Sequence, residues 1–168
     1  MRPPLPPIVV MGVSGAGKST VGAAMSAELG LVFADGDDLH SLASKSKMAD
    51  GVSLSDDDRW PWLARVGETL RSGTAEVVAC SALKRAYRDA IRAIIPEAYF
   101  VWLDGEAGMI AERLAMRSHE YMAPTLLGSQ VRLLEPLDRD ECGIRILASL
   151  PVGEIVGIAR RDLTSALE

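Results

Sequence analysis

The chain has 168 residues, 48% of them apolar and 24% charged, with a formal net charge of -5 and two cysteines. That length suits a single domain with its own core, and the balance of residue types excludes disorder. The acidic surplus argues against nucleic acid or an anionic membrane as partner, and Cys80 and Cys142 are too few and too far apart for a disulfide framework or a zinc site, which points to a reducing cytoplasm.

Residues 1–7 carry Pro3, Pro4, Pro6 and Pro7 and read as a loose tail. The apolar run Ile8 to Met11 is too short for a signal-peptide core, and no stretch approaches the roughly 20 apolar residues that span a bilayer. It suits a buried parallel strand feeding a glycine-rich loop. Val21, Met25 and Leu29 recur at helical spacing, with Gly30 as the C-terminal cap. Leu31 to Ala34, Val77 to Cys80, Tyr99 to Leu103 and Ile144 to Ala148 read as four further strands. Helices are expected around Tyr87, Ile91 and Ile95, around Ile110 and Leu114, and around Val152, Val156, Ala159 and Leu163. Another lies within Ser55 to Gly73, starting either at a Ser55–Asp58 capping box or at Pro61. From about 116 to 137 the pattern weakens, and this stretch reads as a mobile flap or lid. The whole is an α/β domain of three layers with a parallel five-stranded sheet.

Gly12-Val13-Ser14-Gly15-Ala16-Gly17-Lys18-Ser19 satisfies G-x-x-x-x-G-K-[ST] between a strand and a helix, the phosphate-binding loop of P-loop nucleotide enzymes. Converging backbone N–H groups and the helix N-terminus suit ATP phosphates; Lys18 reaches the terminal phosphates, and Ser19 is placed to ligate Mg2+. The ATP-site candidates are Gly12, Ser14, Gly15, Ala16, Gly17, Lys18, Ser19 and Thr20, the last of them reading otherwise as an ordinary helix residue. Asp35-Gly36-Asp37 follows the second strand, whose carboxyl end faces the same crevice. Asp35 is the candidate second magnesium anchor and Asp37 the candidate base for an attacking hydroxyl. No Asn-Lys-x-Asp guanine-reading segment is present, which favours small-molecule phosphoryl transfer.

The segment Asp35-Gly36-Asp37-Asp38-Leu39-His40, then Lys47-Met48, Gly51, Leu54, Asp56-Asp57-Asp58-Arg59 and Pro61-Trp62-Leu63, resembles the gluconokinase family, as do Cys80-Ser81-Ala82-Leu83-Lys84 with Tyr87-Arg88-Asp89, and Tyr121-Met122, Leu126-Leu127, Ser129-Gln130 and Leu134-Glu135-Pro136. The resemblance covers roughly residues 8 to 136 and departs from the family pattern at Ser41, Ser44, Ser53 and His119. It implies a nucleoside-monophosphate-kinase-like fold and ATP- and Mg2+-dependent phosphorylation of D-gluconate to 6-phosphogluconate, and it allows a homodimer. A small hydroxy-acid carboxylate needs a cation and several hydrogen-bond partners. His40, Lys47, Arg59, Ser81, Lys84 and Arg88 are the substrate-side candidates, with Asp37 at the reacting hydroxyl. Arg113 and Arg117, four apart on one helix, are the candidate lid arginines for ATP. Two rivals stay open at this point: a kinase for another small hydroxy acid such as shikimate, and a nucleotide-binding regulator without turnover.

Overall fold

The structure is a computed structural model and describes residues 4–116 and 124–168. Five strands, β1 (Ile8–Met11), β2 (Phe33–Asp35), β3 (Val77–Ala79), β4 (Tyr99–Asp104) and β5 (Gly143–Leu147), form one parallel sheet in the order β2-β3-β1-β4-β5. Central β1 is buried along its whole length, as its unbroken apolar run requires of a strand covered on both faces. Seven helices complete the described chain: α1 (Lys18–Leu29), α2 (Leu42–Ala49), α3 (Asp56–Arg71), α4 (Arg85–Arg92), α5 (Ala107–Ala115), α6 (Pro124–Leu133) and α7 (Val152–Ser165). One core runs through both layers, from Val21 and Met25 on α1 and Ile155, Val156 and Ala159 on α7 to Trp62, Leu63 and Val66 on α3 and Tyr87 and Ile91 on α4. No helix among the described residues is long and apolar enough to cross a membrane.

Most expected elements stand within a residue or two of their sequence positions, and the exceptions have local causes. Strand β2 begins at Phe33 rather than Leu31 because the Leu31 N–H closes the end of α1 on the Ser26 carbonyl, where Gly30 takes a left-handed φ of 71°. Of the two starts open for α3, the capping box prevails: Ser55 Oγ accepts the Asp58 N–H at 3.2 Å, and Asp58 Oδ2 accepts the Ser55 N–H at 2.9 Å. Pro61 falls in the second turn, where the N–H it lacks would have met the Asp57 carbonyl, and both residues are exposed to water. Two elements were not legible. Ser41 caps α2 by accepting the Ser44 N–H at 3.1 Å. Part of the expected flap is helix α6, seated by the buried Leu126 and Leu127. Arg117 and His119 lie outside the described residues.

The parallel order brings the carboxyl ends of β1, β2 and β3 to one edge, so the loops that follow them converge.

Candidate active site

The loop after β1 turns because its glycines adopt backbone angles closed to other residues. Gly17, at φ 100°, directly precedes Lys18, the first residue of α1. Val13 carries the turn from inside: its carbonyl accepts the Ala16 N–H at 3.2 Å and Lys18 Nζ at 3.0 Å. Ser19 Oγ donates to Asp35 Oδ2 at 2.6 Å, tying the loop to the end of β2. The other Asp35 oxygen accepts the Asp37 N–H at 3.0 Å and caps a short 3-10 turn, Gly36–Leu39. A side chain at Gly36 would meet the Ala79 carbonyl at 2.3 Å, so only glycine lets this turn approach β3. Trp62 Nε1 donates to the Gly36 carbonyl at 2.7 Å and fixes the turn from α3.

These loops border one cleft. Ser14, Lys18 and Asp37 line it together with His40, Arg59, Trp62 and Ser81, and α6 closes a further side with Leu126, Ser129 and Gln130. The nucleotide-side lysine and the candidate base thus share one space. Among the described lining residues, Lys18 and Arg59 bring two positive charges against the carboxylate of Asp37, which suits an anionic acceptor beside phosphates.

His40 is buried and stacked on Trp62, with ring centroids 4.0 Å apart. Burial, with Arg65, Arg59 and Lys45 nearby, pushes its pKa from 6.5 down to about 4, so it is neutral at pH 7. Its Nδ1 is buried with no protein partner, a state that native structures rarely leave unanswered. Arg59 is held in place: Nη1 donates to the Leu54 carbonyl at 2.6 Å and to Tyr87 Oη at 3.2 Å, while Tyr87 donates to Asp56 at 2.5 Å. Ser81 follows β3, and its carbonyl accepts the Gly12 N–H at 3.3 Å. Next to it, Ala82 has φ 43°, a left-handed conformation that costs a non-glycine residue about 1–2 kcal/mol.

Arg88 is a correction. It was expected to hold a substrate carboxylate, yet it is fully buried: Nε and Nη2 pair with Glu141 at 2.7 and 2.9 Å, and its remaining hydrogen bonds go to the carbonyls of Ala82, Leu83, Glu135 and Pro136. It pins the strained Ala82 and the chain entering β5, and has no face toward the cleft. Burial alone would raise the Glu141 carboxyl, but hydrogen bonds from Arg88, Asp138 N–H and Arg92 outweigh it and hold the pKa at about 2. Lys47 and Lys84 do not line the cleft either. Lys47 pairs with Asp58 at 2.9 Å, and Lys84 lies 3.8 Å from Asp56.

Arg113 stands beside the loop, donating to the Ala16 carbonyl at 3.4 Å and the Ala148 carbonyl at 2.7 Å. Thr20 is exposed on the first turn of α1. Cys80 is buried next to the site, and burial pushes its thiol up to about 12, which removes it from nucleophilic chemistry. Sequence reasoning gave no role to Glu141 or Ala82, and quoted Gln130 only as part of a motif. The ion pairs of Glu141 leave no local signal, because Arg88 and Arg92 lie 53 and 49 residues away.

The comparisons with known proteins decide the lineage. A gluconokinase from Arabidopsis thaliana is 43% identical over 152 residues, covering 80% of this chain and 79% of that one. The chain belongs to the gluconokinase family. A crystal structure of a gluconokinase from Sinorhizobium meliloti superposes with a TM-score of 0.90 at 43% identity, covering 98% of this chain and 95% of that one. Residues 14–142 also match the family model described as shikimate kinase. At the level of fold alone, shikimate kinase from Aquifex aeolicus aligns with a TM-score of 0.61 at 18% identity, covering 95% of this chain and 97% of that one. The gluconokinase likeness is therefore of a different order from the likeness to other small-acceptor kinases.

Proposed function

We infer that this chain is a gluconokinase that transfers the terminal phosphoryl group of ATP to the 6-hydroxyl of D-gluconate, giving 6-phosphogluconate and ADP. The observation that carries the mechanism is the cleft that Lys18 and Ser14 of the phosphate loop share with Asp37, His40, Arg59 and Ser81. The loop amides and Lys18 bind the phosphates and offset the charge that develops during transfer. Asp37 orients the attacking primary hydroxyl and accepts its proton. Arg59 takes the carboxylate of the acid at the far end, and His40 and the hydroxyl of Ser81, which line the same cleft, bond its chain hydroxyls. Arg113 is assigned to the nucleotide, from its place beside Ala16.

The Ser19 hydroxyl and the Asp35 carboxylate, already 2.6 Å apart, fit a Mg2+ ion, which takes one or two protein oxygens and completes its shell with phosphates and water. Among the described residues no group of three or more His, Cys, Asp or Glu side chains is arranged to hold a metal ion by itself. Bound there, the ion would supply charge neutralisation across the terminal phosphates.

A coupled ADP-release assay tests the assignment, with gluconate, shikimate and related sugar acids at equal concentration, each with and without magnesium. Gluconate should support the fastest turnover, and only with the metal present. A hundredfold preference for shikimate or another sugar acid would overturn the acceptor.

A further inference from the structure

The Ser14 N–H has its partner outside the phosphate loop. It donates to Gln130 Oε1 on α6 at 2.7 Å, across 116 residues of sequence. Among the loop residues only Ser14 and Lys18 line the cleft, beside Asp37, so this N–H belongs to the end of the loop where a terminal phosphate meets the acceptor. A buried or half-buried backbone N–H needs an acceptor, and a carboxamide oxygen has the charge and reach to stand in for a phosphate oxygen. The Lys18 ammonium is likewise engaged by the Val13 carbonyl. One N–H cannot be given in full to Gln130 and to an incoming phosphate.

Helix α6 is well placed to sense that exchange. Its buried Leu126 and Leu127 seat it, and Leu127 joins the core. The neighbour of Gln130, Ser129, contacts Ser53 Oγ at 3.2 Å on the acceptor side and also lines the cleft. One turn of α6 therefore touches the phosphate loop through Gln130 and the acceptor wall through Ser129.

We propose that Gln130 is a positioning residue for the transfer reaction: it holds the Ser14 N–H as a stand-in for a terminal phosphate oxygen and surrenders it when ATP binds, so that occupancy of the loop is relayed through α6 to the acceptor wall. This rests on the assignment of the cleft to phosphoryl transfer. ADP, which lacks the terminal phosphate, does not compete for that N–H. The relay makes nucleotide and acceptor binding interdependent, and the dependence is reciprocal.

Calorimetric titration of a non-hydrolysable ATP analogue and of ADP into the wild type, Gln130→Ala and Gln130→Glu tests this. Removing the internal competitor should tighten binding of the analogue to Gln130→Ala by about three- to tenfold, the order of one hydrogen bond, and change ADP binding by less than about twofold. The carboxylate of Gln130→Glu, isosteric and negative, should weaken the analogue by about tenfold or more, and less so at high salt. The analogue's effect on gluconate affinity should shrink in Gln130→Ala. A side chain that merely pinned α6 would give both variants the same sign and treat the two nucleotides alike, and either result overturns the proposal. Because Gln130→Glu preserves shape, a folding defect confined to Gln130→Ala leaves the second variant to decide. If the wild type showed no gluconate-dependent ADP release, the reading of the cleft would fail. An active wild type without the opposite signs would remove only Gln130.

Discussion

Replacing Glu141 by Gln tests the buried ion pair that took Arg88 out of the substrate site. The substitution keeps the shape and removes the charge, leaving the fully buried Arg88 guanidinium with carbonyl partners and no counter-ion. Two routes give its magnitude. Breaking one side of a buried pair costs about 3–5 kcal/mol. Independently, at about 1.4 kcal/mol per tenfold change in proton affinity, the fall of the Glu141 pKa from 4.5 to about 2 is worth about 3 kcal/mol. The folded-state value lies below the unfolded one, so this stability is fully present above pH 4.5 and is lost as pH falls toward 2. Urea unfolding of wild type and variant at pH 7 should therefore differ by about 3 kcal/mol, and the gap should narrow to about 1 kcal/mol at pH 3. At pH 7 the melting temperature should drop by about 6–12 °C, while the KM for gluconate, measured well below the transition, should stay within about twofold. A gap under about 1 kcal/mol at pH 7, or one equally large at pH 3, would refute the reasoning. A tenfold rise in KM with an unchanged melting temperature would return Arg88 to the acceptor site.

Replacing Asp37 by Asn should lower kcat by on the order of a hundredfold or more with ATP affinity spared, and an unchanged rate would remove it from the proton transfer. Replacing Arg59 by Met should raise the KM for gluconate by about ten- to a hundredfold, the value of a charge-assisted hydrogen bond, with a far smaller effect on the KM for ATP. For His40, whose folded pKa of about 4 lies below 6.5, the neutral form carries the stability: it is complete above pH 6.5 and is lost as pH falls toward 4, by about 3 kcal/mol in all. Wild type should lose more stability than His40→Asn across that window in urea titrations, and kcat/KM should show no limb from this imidazole between pH 6 and 8.

The fold was legible because its signals are local. A buried apolar tetrad before a glycine loop, helical spacing to Gly30, and Ser55 three residues before Asp58 each act within a few residues. The meeting of the glycine loop with the Asp35–Asp37 turn was legible for the same reason, since Gly12 to Ser19 and Asp35 to Asp37 are short continuous segments. The rest of the cleft was legible only in part. His40, Arg59 and Ser81 meet in the cleft, but four basic residues looked alike in the sequence and only Arg59 reaches it. What separates Arg88 from Arg59 is burial and a partner 53 residues away, neither of which leaves a periodic trace. Helix α6 was read as a flap because Gly128 and the polar Ser129 and Gln130 interrupt its apolar pattern, and it is the cleft that employs the two polar side chains.

The indole of Trp62 makes one further demand on the molecule. One face carries His40 and the ring nitrogen grips Gly36, so the turn that holds Asp37 and the cleft-lining imidazole share a single hinge-pin. Under the proposed function, a change of acceptor therefore has little freedom on this side of the cleft, because reshaping the wall at Trp62 would also displace the turn that carries Asp37. New specificities in this lineage should arise instead at cleft-lining positions such as Met48 and Val52, which are not joined to the Gly36 turn through Trp62.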